Sequence, residues 1–170
     1  GYHTCAILDD GSVSCWGHNN VGQLGDGTTD NQNTPTQPLS LGNGRTAISV
    51  ATGGYHTCAI LDDGSVSCWG RNVYGQLGDQ TNIDRSSPTP TSTLGEGRVA
   101  TAISAGQGHS CATLDDGSVS CWGRNNHGQL GDGTDIETNE PIQTSSLGFG
   151  KNAVSVSIGR FHTCANLDDG

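Results

Sequence analysis

One stretch recurs along the chain at a fixed interval, and that interval constrains the fold more than any other property. Cys58-Ala59-Ile60-Leu61-Asp62-Asp63-Gly64-Ser65-Val66-Ser67-Cys68, followed by Trp69-Gly70, is repeated almost letter for letter from Cys5 to Cys15 and from Cys111 to Cys121. A fourth copy starts at Cys164. Cys5, Cys58, Cys111 and Cys164 are each 53 residues apart. So regular a period is the mark of a repeat architecture, in which no unit buries its apolar face alone and neighbours must cover one another. We read residues 1–170 as one array of three full units and the start of a fourth, a piece of a longer array.

The turn inside the motif predicts its local structure. Asp62-Asp63-Gly64 fits a type I turn closed by a glycine in the left-handed region, the common three-residue hairpin. Pairing then runs Leu61 with Ser65, Ile60 with Val66, Ala59 with Ser67 and Cys58 with Cys68. Counted from the turn, the two cysteines fall at a non-hydrogen-bonded pair, where cross-strand side chains lie closest. A disulfide fits there, and it would stabilise by roughly 2–3 kcal/mol on the chain-entropy model. Cys5–Cys15 and Cys111–Cys121 are its copies. The alternatives are buried thiols, or zinc held with the help of His56, although zinc sites usually draw on closely spaced cysteine pairs that this chain lacks.

The rest of each unit falls into three further segments. A short alternating apolar strand precedes the hairpin, at Ala47–Ala51, Ala102–Ala105 and Val154–Ile158. Gly53, Gly106 and Gly159 follow it, and then His56, His109 and His162. After the hairpin comes Trp-Gly-x-Asn-x-x-Gly-Gln-Leu-Gly, at 16–25, 69–78 and 122–131. Its tryptophan is expected in the core with an acceptor for its indole N–H. Asn19, Asn72, Asn125, Gln23, Gln76 and Gln129 are expected to fix turns by hydrogen bonding. Last comes a segment of constant length and varying residues, 26–41, 79–94 and 132–147, rich in Thr, Ser, Asn and Pro. Its prolines suit an outer edge strand. It is the place where recognition would differ from unit to unit.

Composition narrows the function classes. The chain holds 17 Asp and Glu against 7 Lys and Arg, for a net charge of −10. Arg45, Arg71, Arg98, Arg124 and Lys151 are scattered along it, so no nucleic-acid partner is expected. No apolar run is long enough to span a bilayer. Seven cysteines and no methionine point to an oxidising compartment, outside the cell or on its surface. Cys164 has no hairpin partner in the sequence. The Asp pairs at 9–10, 62–63, 115–116 and 168–169 are turn residues, too poor in further ligands for a strong calcium site. His3, His56, His109 and His162 recur once per unit, as packing residues do and catalytic residues need not. We therefore expect no enzyme, no metal and no cofactor. No Asn-x-Ser/Thr sequon occurs; Thr34, Thr36, Ser87, Thr89 and Thr91 are the best-placed candidates for O-linked glycans.

The run Gly54-Tyr55-His56-Thr57-Cys58-Ala59, then Asp63-Gly64, Cys68-Trp69-Gly70-Arg71-Asn72 and Gly75-Gln76-Leu77-Gly78, resembles the regulator of chromosome condensation repeat. The resemblance covers the whole chain and implies β-propeller blades of four strands, usually seven to a ring. The paired cysteines resemble the secreted, mostly microbial branch. The nucleotide-exchange activity of the family's best-known member depends on surface residues outside the shared motif and is not expected here. The expected fold is thus all-β: 53-residue four-stranded units forming propeller blades or an open superhelical stack. The expected function is an extracellular, non-enzymatic scaffold. It would bind a protein or glycan partner, as part of a closed propeller, or assemble with further copies of itself into a fibre.

Overall fold

A computed structural model describes residues 1–168 as thirteen strands in four antiparallel sheets, with no helix among them. Asp169 of the last Asp pair lies outside the described residues. The second sheet holds β4 (Ala47–Thr52), β5 (His56–Leu61), β6 (Val66–Gly70) and β7 (Arg85–Pro90), paired in chain order. The third repeats it with β8 (Ala100–Ala105), β9 (His109–Leu114), β10 (Val119–Gly123) and β11 (Thr138–Gln143). The first sheet contains β1 (His3–Ile7), β2 (Val13–Gly17) and β3 (Gln32–Thr36), and the fourth β12 (Ala153–Ile158) and β13 (Thr163–Leu167).

The hairpin register is the expected one. Cys58 stands opposite Cys68, Ala59 opposite Ser67 and Ile60 opposite Val66. Leu61 N–H donates to the Ser65 carbonyl at 2.9 Å and Gly64 takes φ +78°, which closes the turn. Disulfides join Cys5 to Cys15, Cys58 to Cys68 and Cys111 to Cys121, each with Cα atoms 4.1 Å apart, as suits a non-hydrogen-bonded pair. With Cys58 so bonded and His56 directed elsewhere, the zinc alternative has no ligand set at this hairpin.

The core lies between sheets. Strands β5, β6, β9 and β10 are buried along their whole length on both faces. One layer combines Cys58, Ile60, Val66, Cys68 and Leu77 of the second sheet's unit with Ala112, Leu114 and Trp122 of the third's. Equivalent layers lie on either side, one around Trp69 and one around Cys111 and Cys121. The disulfides are therefore part of the packing between blades. Trp69 and Trp122 are completely buried, whereas Trp16 is only half-buried.

The expected indole acceptor is not there. Nε1 of Trp69 and of Trp122 is buried without a hydrogen-bond partner. Each ring lies against the last glycine of the preceding unit's motif. A Cβ on Gly25 would come within 2.8 Å of Trp69 Nε1, and one on Gly78 within 3.0 Å of Trp122 Nε1. Close packing of the ring on bare backbone leaves the N–H no acceptor, so contact area decides the tryptophan's position.

Glycine also sets how closely the inner strands converge. Strand β4 touches β8, and β8 touches β12. Gly54 N–H donates to the Gly106 carbonyl of the next sheet at 2.9 Å. A Cβ on Gly53 would run into that carbonyl oxygen and into the His56 ring. Gly106 meets Gly159 and Ile158 in the same way. These glycines are required for close approach, not for a left-handed backbone.

Candidate functional site: an aromatic and guanidinium ridge

Much of the polar content of the motif is consumed by the framework. Asn72 is fully buried, and its side-chain amide donates to Asp79 Oδ1 at 2.9 Å and the Thr81 carbonyl at 3.0 Å, while its oxygen accepts from Leu77 N–H at 2.9 Å. Asn19 and Asn125 do the same in their units. Gln76 accepts from Tyr74 N–H at 2.9 Å, and Gln23 and Gln129 accept from Val21 and His127. Burial alone would raise the Asp79 carboxyl; hydrogen bonds from Thr81, Arg85 and Asn72 outweigh it and hold the group below the usual carboxylate range. These are the turn-fixing roles expected of Asn and Gln.

Three of the four recurring histidines, His3, His56 and His109, join one sheet to the next, whereas His162 is exposed. Thr57 Oγ1 donates to the Gln23 carbonyl at 2.8 Å, so its lone pair faces His3 Nε2 at 2.7 Å. The imidazole must then carry its proton on Nε2 and donate. The same clamp holds Ser110 between His56 (2.9 Å) and the Gln76 carbonyl (2.9 Å), and Thr163 between His109 (3.1 Å) and the Gln129 carbonyl (2.8 Å). Nδ1 of all three rings is buried without a partner. Burial pushes His56 down to about 3 and His3 and His109 down to about 4. They are neutral struts between blades.

At the hairpin tips, the Ser65 hydroxyl and N–H donate to Asp63 at 2.6 and 3.0 Å, and these bonds lower its carboxyl. Asp10 and Asp116 are engaged by Ser12 and Ser118 in the same way. Arg45 pairs with Asp62 (3.4 Å) and Asp63 (2.7 Å), and Arg98 with Asp115 (3.5 Å) and Asp116 (3.1 Å). Among the described residues no group of three His, Cys, Asp or Glu is placed to hold a metal ion. The outer strands β3, β7 and β11 carry the variable Pro-rich segments, as expected. Of the five candidate glycan acceptors, Thr34 is exposed, while Thr36, Ser87, Thr89 and Thr91 are half-buried.

The opposite edge of the sheets, where β5 begins and β6 ends, carries a different surface. Arg71 N–H donates to the Tyr55 carbonyl at 2.9 Å, and His18 and Arg124 make the same backbone bond to Tyr2 and Gly108. This fixes the x of each Trp-Gly-x-Asn beside the residue that precedes each framework histidine. Tyr2 and Tyr55 have ring centres 5.4 Å apart. The Arg71 guanidinium lies over Tyr55 at 5.7 Å and over Tyr74 at 5.9 Å. Arg124 lies over Tyr74 at 5.1 Å and over Phe161 at 5.3 Å, and Arg160 over Phe161 at 4.9 Å. His127 meets Phe161 edge-on at 5.3 Å. The row crosses all four sheets.

A glycine keeps it unbroken. Gly108 stands where the other units have Tyr2, Tyr55 and Phe161, and a Cβ there would lie 3.1 Å from the Tyr74 ring. The Tyr74 ring occupies the space a third aromatic would fill. Of the basic residues spread along the sequence, Arg71 and Arg124 thus meet over Tyr74, with Arg160 beside Phe161, while Arg45 and Arg98 stay apart at the hairpin tips. The ridge is hidden in the sequence because its residues occupy the x positions of a framework motif. The signal was present: those positions read His18, Arg71, Arg124 and Val21, Tyr74, His127, while the residues around them stay fixed.

The fold and its contacts define a class: an antiparallel four-stranded blade, stapled by a disulfide and packed on its neighbours as in a β-propeller. The chain belongs to the regulator of chromosome condensation (RCC1) repeat family, whose model matches residues 10–60, 63–113 and 116–165. It is 34% identical over 164 residues to the human "Probable E3 ubiquitin-protein ligase HERC4", covering 96% of this chain and 15% of that protein. It is 34% identical over 167 residues to the "Ultraviolet-B receptor UVR8" of Arabidopsis thaliana, covering 98% of this chain and 36% of that one. The structure of yeast RCC1 (Prp20) bound to Kap60 superposes with a TM-score of 0.84 at 21% identity, over 98% of this chain and 40% of that one. The chain spans well under half the length of each.

Proposed function

We propose that this chain is part of a non-catalytic scaffold of an oxidising compartment, outside the cell or on its surface, which holds a protein partner on its ridge face. The observation that carries this is the division of labour among its polar residues. The Asn, Gln, His and hairpin Asp side chains are spent on turns and blade contacts. The ridge arginines and rings, half-buried at Tyr55, Arg71, Tyr74 and Arg124 and exposed at Tyr2, Arg160 and Phe161, are left without ion pairs among the described residues on a rigid support, the usual setting of a binding site. The solved Prp20p from Saccharomyces cerevisiae is described with binding to Gsp1p and histones, and yeast RCC1 was solved with Kap60; protein partners on this fold support the same class of partner here. The ligase named for HERC4 is that whole protein's and is not carried over.

A library of random peptides displayed on phage tests the proposal. Panning on the immobilised chain is expected to enrich a sequence class. That enrichment should disappear with the Tyr55→Ala/Arg71→Ala variant and survive Asp62→Asn. Enrichment of nothing, or loss with Asp62→Asn alone, would remove the ridge as the binding face.

The compartment has its own test. In protein isolated from its native source without reductant, Cys58 and Cys68 are expected to resist alkylation and to gain two labels only after reduction, as mass mapping of that peptide reads out. Labelling of both thiols before reduction would overturn the oxidising assignment.

A further inference from the structure

We propose that the ridge recognises an acidic peptide segment of its partner, with carboxylates taken by Arg71, Arg124 and Arg160 and apolar side chains laid on Tyr55, Tyr74 and Phe161. The inference deepens the protein-binding proposal above and rests on it.

Ion pairing separates two sets of arginines. Arg45, Arg85 and Arg98 are each neutralised by an aspartate within 3.5 Å. Among the described residues Arg71, Arg124 and Arg160 make no ion pair, and their guanidiniums rest on aromatic rings instead. Nε of Arg124 is buried without an acceptor. A guanidinium resting on a ring still has N–H groups with which to grip a carboxylate by two parallel bonds; in Arg124 these are the terminal Nη groups, since its Nε is buried. Stacking also holds the side chain in place beforehand, so less rotamer entropy is lost on binding. Tyr2 is 65% exposed and Phe161 37% exposed, which leaves apolar surface beside the charges. Tyr2 and Arg160 also border a concavity of about 630 Å³ at the inner strands, wide enough to admit side chains of a bound segment.

Charge selects the occupant. The loops outside the ridge carry Asp26, Asp30, Asp84, Asp132 and Asp135. A nucleic acid bears a charge at every nucleotide and needs a continuous basic track, which these loops interrupt. A peptide can place its few carboxylates on the three arginines and leave the loops untouched. In a second copy of the chain the tip carboxylates Asp62, Asp63, Asp115 and Asp116 are already held by Arg45 and Arg98, which makes it the weaker candidate and leaves self-association as an outcome of the test.

Fluorescence anisotropy with two labelled peptides decides the matter. One alternates Asp or Glu with Leu and Tyr; the other replaces every carboxylate by its amide. The acidic peptide is expected to bind at least about tenfold more tightly, and Arg71→Ala or Arg124→Ala to weaken it about tenfold each with the thermal midpoint unchanged. Affinity should fall as salt rises. Equal affinity for both peptides, still lost with Tyr55→Ala, would overturn acidic recognition and leave the protein-binding proposal standing. Binding of neither peptide, with the phage library still enriching others, would do the same. If the library also enriches nothing, both proposals fall. Tighter binding of an oligodeoxythymidylate than of the acidic peptide would assign the ridge to nucleic acid. Concentration-dependent self-association abolished by Arg71→Ala would assign it to a second copy. Either result overturns the inference.

Discussion

Acidification from pH 6.5 to pH 4 is expected to strip several kcal/mol from the folded state, before the carboxylates contribute. In the unfolded chain His3, His56 and His109 titrate near 6.5; in the folded chain burial lowers them to about 4, about 3 and about 4. Between those values the unfolded state binds more protons than the folded one, so stability rises with pH across that window. It is fully present above about pH 6.5 and lost as pH falls towards 4. The limiting slope is about 1.4 kcal/mol per pH unit for each histidine that takes up a proton. The lowered carboxyls, such as Asp63 and Asp79, act in a separate window, because their contribution is lost only below the ordinary carboxylate range. Urea unfolding followed by circular dichroism at pH 7.0, 6.0 and 5.0 gives the proton uptake directly. In His56→Gln, which keeps an N–H donor for Ser110, the slope should drop by one proton. A flat profile from pH 7 to 5 would show that the three imidazoles are not buried neutral struts.

Trp122→Ala is expected to destabilise the protein by about 3–5 kcal/mol, the range for removing a large buried aromatic and leaving a cavity. The ring is fully buried among Cys58, Ile60, Cys68 and Leu77 of the preceding unit, so its loss loosens one blade from the next as well as emptying a pocket. Trp16→Ala, at a half-buried copy of the same position, should cost clearly less. Trp122→Phe separates packing from hydrogen bonding. With no acceptor at Nε1, the replacement gives up volume alone, and a loss of about 1–2 kcal/mol is expected. Thermal and urea unfolding of the three variants checks the order. A cost for Trp122→Phe equal to that for Trp122→Ala would mean that the indole N–H is bonded after all.

Much of the fold was legible in the sequence because its information is local. The Asp62-Asp63-Gly64 turn sets the register, the register places Cys58 against Cys68, and the 53-residue period says that blades must cover one another. The edge strands announced themselves by Pro35, Pro88, Pro90 and Pro141. The ridge was not legible in the same way. Its residues lie tens of positions apart and belong to different units, so nothing along the chain shows that Arg71 and Tyr74 reach Arg124 and Phe161. Gly108 looks like a lost aromatic in sequence, and only in three dimensions does it become the space that Tyr74 fills.

By itself the sequence determined the repeat, the hairpin with its cysteines placed opposite one another, and the family resemblance. These follow from turn chemistry and periodicity, which act over a few residues. Only the tertiary structure decided which side chains form each layer between blades, that the Trp69 and Trp122 N–H groups go without an acceptor, that His3, His56 and His109 each donate to the next blade's hydroxyl, and that Arg71, Arg124 and Arg160 converge on one face. Those depend on how neighbouring sheets approach one another, a distance set by Gly53 and Gly106 and the packing around them, which no local pattern encodes.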